Sequence, residues 1–101
     1  MQRLTDQELK EALTKITRWE LTNGEIVRTW TFPDFVAAMA FVNRVAQVAE
    51  KEGHHPDIDI RYNRVKLALV THDAGGITEK DTEMAKILNN LEESFSHSPE
   101  N

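Results

Sequence analysis

The sequence predicts an α+β fold with the element order α-β-β-α-β-β-α, a four-stranded antiparallel sheet with helices packed on one face. Three observations carry that expectation. Two pairs of β-prone runs are each joined by a tight turn, a long amphipathic stretch separates the pairs, and further amphipathic stretches begin and end the chain. Two hairpins flanking a helix can close one antiparallel sheet, and a helix with an apolar stripe must bury it against such a layer.

At the start, Thr5-Asp6-Gln7-Glu8 has the form of a capping box, with Thr5 as N-cap and Glu8 three residues on. The helix it opens carries Leu9, Leu13 and Ile16 on roughly one side. Runs Thr17–Leu21 and Glu25–Phe32 follow, joined through Asn23-Gly24, two residues that tolerate the positive φ of a tight hairpin. In the second run Ile26, Trp30 and Phe32 share a face that Arg28 interrupts, which predicts an edge position or a bulge.

Pro33-Asp34 starts the long helix, expected to reach about Glu52. Its stripe is Phe35, Ala38, Met39, Val42, Val45, Ala46 and Ala49, at the three-and-four spacing of a buried face. Val36, Phe41 and Val48 fall outside it. That surplus predicts a second contact, with other helices or another subunit, and places Phe41 near a subunit interface. Gly53 stands where a left-handed residue closes a helix. Ile58 to Tyr62 alternates, with its apolar side expected to face the core and its charges water. Asn63-Arg64 reads as a turn into Val65–Thr71, where Val65, Leu67, Leu69 and Thr71 share one face. Gly75-Gly76 frees the backbone before Thr78, the expected cap of a last helix whose face is Met84, Ile87, Leu88 and Leu91. Residues 1–95 are expected as a single domain and 96–101 as a flexible tail.

Composition narrows the function. A chain of 101 residues has room for one small core, and 40% apolar residues is ordinary for a globular domain. The longest apolar run, Phe35 to Val42, is too short to span a bilayer, and the N-terminus lacks a signal-peptide pattern. The absence of cysteine removes thiolate chemistry and suits a cytoplasmic setting. With 12 Lys and Arg against 17 Asp and Glu, net −5, a stripe able to hold a nucleic-acid backbone is not expected. Small-molecule ligands and protein partners remain.

The residues able to do chemistry gather in two stretches. Glu50-Lys51-Glu52-Gly53-His54-His55-Pro56-Asp57 sets two histidines just beyond the long helix, and Thr71-His72-Asp73 sets a third at the end of a strand. Histidine changes protonation near neutral pH, so clustered histidines are candidate acids and bases. The two stretches are expected to converge on one pocket, with Asp81 beside them. Blander readings stand next to this one. An exposed His-His-Pro turn also serves as a helix stop, and Thr78-x-x-Asp81 also has the form of a capping box. A zinc site of three histidines and an aspartate would need spacings that adjacent histidines do not match, so no metal is expected.

Glu50-Lys51-x-x-His54-His55-Pro56, then Tyr62-Asn63-x-Val65, then Thr71-His72-x-x-x-Gly76-x-Thr78-x-x-Asp81, resembles the pterin-4a-carbinolamine dehydratase family. The likeness runs from the Trp19 region through Asn90, and the element order agrees. It implies a four-stranded antiparallel sheet with helices on one face, assembled as a homodimer or homotetramer. It implies catalytic roles for His54, His55, His72 and Asp81. A pterin pocket would be lined by Glu50, Gly53, His54, His55, Pro56, Val70, Thr71, His72 and Asp73. The implied reaction converts 4a-hydroxytetrahydropterin to quinonoid dihydropterin and water, in tetrahydrobiopterin-type cofactor recycling, with no cofactor of its own. Gly53 departs from the aspartate or asparagine often found before the two histidines. The alternative is a protein-interaction module on the same fold, since family members also serve as dimerisation cofactors of a transcription factor and as assembly chaperones.

Overall fold

Local rules set the boundaries of most elements in the computed structural model, which describes residues 2–96, with side chains through Leu91. Helix α1 (Asp6–Lys15) begins at a complete capping box. The Thr5 hydroxyl accepts the Glu8 N–H at 3.1 Å and the Glu8 carboxylate accepts the Thr5 N–H at 2.8 Å, so two otherwise unpaired donors are satisfied at once. Strands β1 (Glu20–Thr22) and β2 (Glu25–Thr31) form a hairpin whose turn residues Asn23 and Gly24 have φ of 52° and 80°, the double positive φ that matches strand twist. Asp34 caps helix α2 (Phe35–Glu52) by accepting the Ala37 N–H. Strands β3 (Asp57–Arg61) and β4 (Arg64–Leu69) form the second hairpin, and helix α3 (Glu79–Ser96) ends the described chain. Residues 97–101, the bulk of the expected tail, lie outside the described residues.

The sheet has the order β1-β2-β4-β3, antiparallel throughout. Ile26, Arg28 and Trp30 of β2 lie opposite Leu69, Leu67 and Val65 of β4, and all six are buried on the helix-facing side. Ala38, Phe41, Val42, Val45 and Ala49 of α2 and Met84, Ala85, Leu88 and Leu91 of α3 complete the core. An aromatic chain runs through it, from Trp19 to Trp30 at 5.8 Å between ring centroids, to Phe41 at 4.9 Å, to Phe32 at 5.1 Å. No helix among the described residues is long and apolar enough to cross a membrane.

Several expectations are corrected. Arg28 marks neither an edge nor a bulge, because β2 is a central strand in unbroken register with β4. Its guanidinium stays inside by stacking on Trp30, 4.4 Å from the ring centroid, and by donating to the Asn89 amide oxygen at 2.5 Å. That oxygen also accepts the Trp19 indole N–H. Phe41 is fully buried within its own chain, so it marks no subunit contact, whereas Phe35 is 48% and Val36 75% exposed. The apolar face of α2 is thus rotated from the stripe read in the sequence, because Trp30 and Phe32 draw the large ring inward. The β3–β4 turn falls one residue early, on Tyr62 and Asn63, since Arg61 already pairs with Arg64. Tyr62 takes the positive φ of 54°, leaving Asn63 to bond Phe32 through both its carbonyl and its side-chain amide. Strand β3 lies at the sheet edge, where Ile58 remains 38% and Tyr62 66% exposed.

Candidate active site

Helix α2 ends because Gly53 adopts φ 65°, ψ 30°, and its N–H bonds the Ala49 carbonyl. The chain then leaves the helix axis through His54 and His55, and Pro56, which is buried, leads into β3. On the other side β4 ends at Leu69, two residues sooner than its alternation suggests. Thr71 pairs instead with Gly76, through Thr71 N–H to Gly76 O at 3.0 Å and Gly76 N–H to Thr71 O at 3.3 Å. That bridge pinches off a short 3-10 turn, His72–Ala74, closed by Gly75 at φ 74°. His72 therefore sits on a tight loop just past the strand rather than on the strand.

The two stretches meet. Gly53, His54, His55, Val70, Thr71, His72 and Asp73 line one cavity of about 300 Å³. That lies at the lower end of small-ligand pockets and suits a flat, compact molecule. Three of the sequence-derived residues stand behind it or beside it. Asp81 is fully buried and meets the His54 ring, Nε2 to Oδ1 at 2.6 Å. Glu50 holds His55 by a 2.6 Å contact between Oε2 and Nε2, with both side chains largely exposed. Pro56 is buried and shapes the turn without lining the cavity.

Asp81 combines both roles that its sequence context allows. Its Oδ2 accepts the Thr78 N–H at 2.9 Å, the capping contact, and also the Thr71 hydroxyl at 2.8 Å. Its Oδ1 is left for His54. One buried carboxylate thereby ties together the start of α3, the end of the β4 segment and the double-histidine turn.

Lys80 also lines the cavity and was not among the residues singled out. Its one cue in the sequence is a cation at a helix start, where the dipole disfavours positive charge. With His54 it borders an adjoining cavity of about 250 Å³ that includes Glu52, Glu79 and Glu83. A larger cavity, about 380 Å³, is lined by Lys15, Thr17, Arg18, Arg28, Lys86, Asn89 and Asn90. None of these side chains exchanges a proton readily near neutral pH, so the candidate acid/base groups are those of the histidine-lined cavity. Among the described residues no group of three or more His, Asp or Glu could hold a metal ion.

The sequence model of the family described as pterin 4 alpha carbinolamine dehydratase matches residues 2–91. The chain belongs to this family. A protein of Acidobacterium capsulatum, carrying the provisional name pterin-4-alpha-carbinolamine dehydratase, is 58% identical over 91 residues, which cover 90% of this chain and 99% of that one. One from Chloroflexus aurantiacus with the same provisional name is 56% identical over 91 residues, 90% of this chain and 98% of the relative. Among solved structures, one titled transcriptional coactivator/pterin dehydratase from Brucella melitensis superposes with a TM-score of 0.84 at 40% identity, covering 88% of this chain and 97% of that one. A pterin dehydratase-like protein identified as a RuBisCO assembly factor in the alpha-carboxysome shares the fold, with a TM-score of 0.60 at 21% identity, over 73% of this chain and 86% of that one. The pterin dehydratase fold thus spans the sheet and all three helices of this chain. In this member the position before the two histidines is glycine, in a backbone conformation that Asn and Asp also enter more readily than other residues.

Proposed function

We propose that this protein dehydrates 4a-hydroxytetrahydropterin to the quinonoid dihydropterin, acting as a 4a-hydroxytetrahydrobiopterin dehydratase in pterin cofactor recycling. The observation that carries the proposal is the convergence of His54, His55 and His72 on one cavity, in a chain matched by the dehydratase family over residues 2–91.

Hydroxide is a poor leaving group, so an acid must protonate the departing oxygen, which leaves as water. A base must take a ring-nitrogen proton as the C=N bond forms. Histidines fixed on two sides of a flat ring supply both functions, and holding the ring between them lowers the entropic part of the barrier. We assign the proton transfers to His54 and His72, with His55 as a third catalytic histidine held by Glu50. Asp81 orients His54 from behind. The Gly53 turn and the Val70-Thr71-His72-Asp73 segment would hold the pterin, and the reaction calls for no metal or further cofactor.

A homo-oligomer in the cytoplasm is part of the proposal. Its support is no longer Phe41 but the exposed Phe35 and Val36 at the start of α2, together with Ile58 and Tyr62 at the open edge of the sheet.

The decisive experiment supplies purified protein with chemically generated carbinolamine and follows the loss of water, before and after extensive chelation. Acceleration over buffer, equal in both samples, is expected. No acceleration would leave the non-enzymatic interaction module as the reading, and loss of rate with removal of a stoichiometric metal would replace histidine acid/base chemistry with metal catalysis.

A further inference from the structure

We propose that Thr71 is a positioning residue whose hydroxyl, itself oriented by Thr78, fixes the Asp81 carboxylate so that His54 is held as the tautomer protonated at Nε2. The inference rests on the reading of His54 as an acid/base group.

Donor and acceptor roles in this cluster are determined one after another. Thr71 donates its only hydroxyl proton to Asp81 Oδ2 at 2.8 Å. The contact of 2.8 Å between the Thr71 and Thr78 hydroxyl oxygens must then use the proton of Thr78. The Thr78 oxygen is free to accept, and it receives the Lys80 N–H at 3.2 Å. Asp81 Oδ2 takes a second donor, the Thr78 N–H at 2.9 Å. With Asp81 acting as acceptor at all its other contacts, the proposal places the proton of the 2.6 Å contact between Oδ1 and His54 Nε2 on the ring. Nδ1 then remains as the nitrogen that can take up or release a proton. The hydrogen bond made by one ring nitrogen sets which tautomer an imidazole adopts.

Thr71 is suited to the task because its backbone is held independently. Its N–H and carbonyl both bond Gly76, and its carbonyl also accepts the Ala74 N–H. The hydroxyl therefore projects from a fixed point onto a carboxylate with no exposure to solvent. A valine there would keep the shape and the backbone bonds. It would leave Asp81 Oδ2 one donor short and the Thr78 proton without its acceptor, and the carboxylate could turn away from the geometry that selects Nε2–H.

The test is ring-nitrogen NMR on the ligand-free full chain with 15N-histidine, for wild type, Thr71→Val and Thr71→Ser, alongside kcat and KM. Wild type is expected to show His54 as the Nε2–H form. Thr71→Val should show mixed tautomers and a kcat lower by roughly tenfold to a hundredfold, the scale for losing a group that orients a functional histidine. Thr71→Ser should restore both. An Nδ1–H form in wild type, or a Thr71→Val protein with one unchanged tautomer and wild-type kcat, would overturn the proposal. If Thr71→Val fails to fold, Thr71→Ala, which also removes the hydroxyl, is read by the same criteria. The ring-nitrogen pattern needs no substrate, so an Nε2–H form that responds to Thr71→Val in a protein without dehydratase activity supports the positioning and overturns only the functional reading.

Discussion

A histidine ring has two nitrogens, and at each of the first two site histidines the fold occupies one. His54 gives Nε2 to a carboxylate with no solvent exposure, while its own side chain is 13% exposed. His55 gives Nε2 to Glu50 at a surface where both side chains are largely exposed. The same 2.6 Å separation therefore means different things at the two positions. Exposed pairs contribute little to stability because water screens them and side-chain entropy opposes them, whereas a buried, fully bonded carboxylate defines a geometry. His72 differs from both. It is exposed on its 3-10 turn at the cavity, so its removal should disturb chemistry more than folding. We expect His72→Ala to lower turnover by roughly a hundredfold or more, the usual scale for losing an acid/base group, with an unchanged denaturation midpoint. Wild-type turnover in the folded variant would take His72 out of the mechanism.

At the scale of elements, the site depends on how three of them end or begin. Helix α2 must stop abruptly for the double-histidine turn to face β4, and Gly53 provides the stop through its left-handed conformation. Nothing lies within 4 Å of where a Cβ would stand on Gly53, so any penalty for a side chain there is conformational rather than steric. Gly53→Ala should lower unfolding free energy by about 1–2 kcal/mol, the penalty of a left-handed alanine, and Gly53→Asn by less, because asparagine serves at such caps. Urea titrations of the two variants check the order. Alanine as stable as glycine would show that the helix end is held by the histidine contacts rather than by its cap. The start of α3 is bound to the same site, since the carboxylate that caps it through Thr78 is the one that meets His54.

On the scale of the whole molecule, the helices cover the middle of the sheet better than its margins. β2 and β4 bury every residue of their inner faces that the register places opposite one another, Ile26 to Trp30 against Leu69 to Val65. At the margins Leu21 is 51% and Ile58 38% exposed, and the start of α2 leaves Phe35 and Val36 in solvent. Exposed apolar side chains beside an open strand edge favour association with another copy. Sedimentation should find wild type larger than one chain and Val36→Glu shifted toward the monomer. A monomeric wild type would mean that these side chains are tolerated in water. Phe41→Glu would not serve as such a test, because a charge at a fully buried position would destabilise the fold itself.

What the sequence determined by itself was local or periodic. The Thr5 capping box, the Asn23-Gly24 turn, the Gly53 stop and the order of helices and strands each follow from residues within a few positions of one another. The grouping of His54, His55 and His72 was legible because two turns flank the β3–β4 hairpin, whose antiparallel pairing returns the chain to where it began. Tertiary structure decided everything that depends on a partner distant in sequence. Arg28 is interior because Trp30 and Asn89 receive it. Phe41 turned inward because Trp30 and Phe32 leave it a place, which a helical period alone does not reveal. Asp81 could be read as cap or as a neighbour of the histidines, and the fold gives it both contacts. Its two oxygens face different elements, and only the packing of α3 against the end of the sheet brings Thr71 and His54 within hydrogen-bonding distance of one carboxylate.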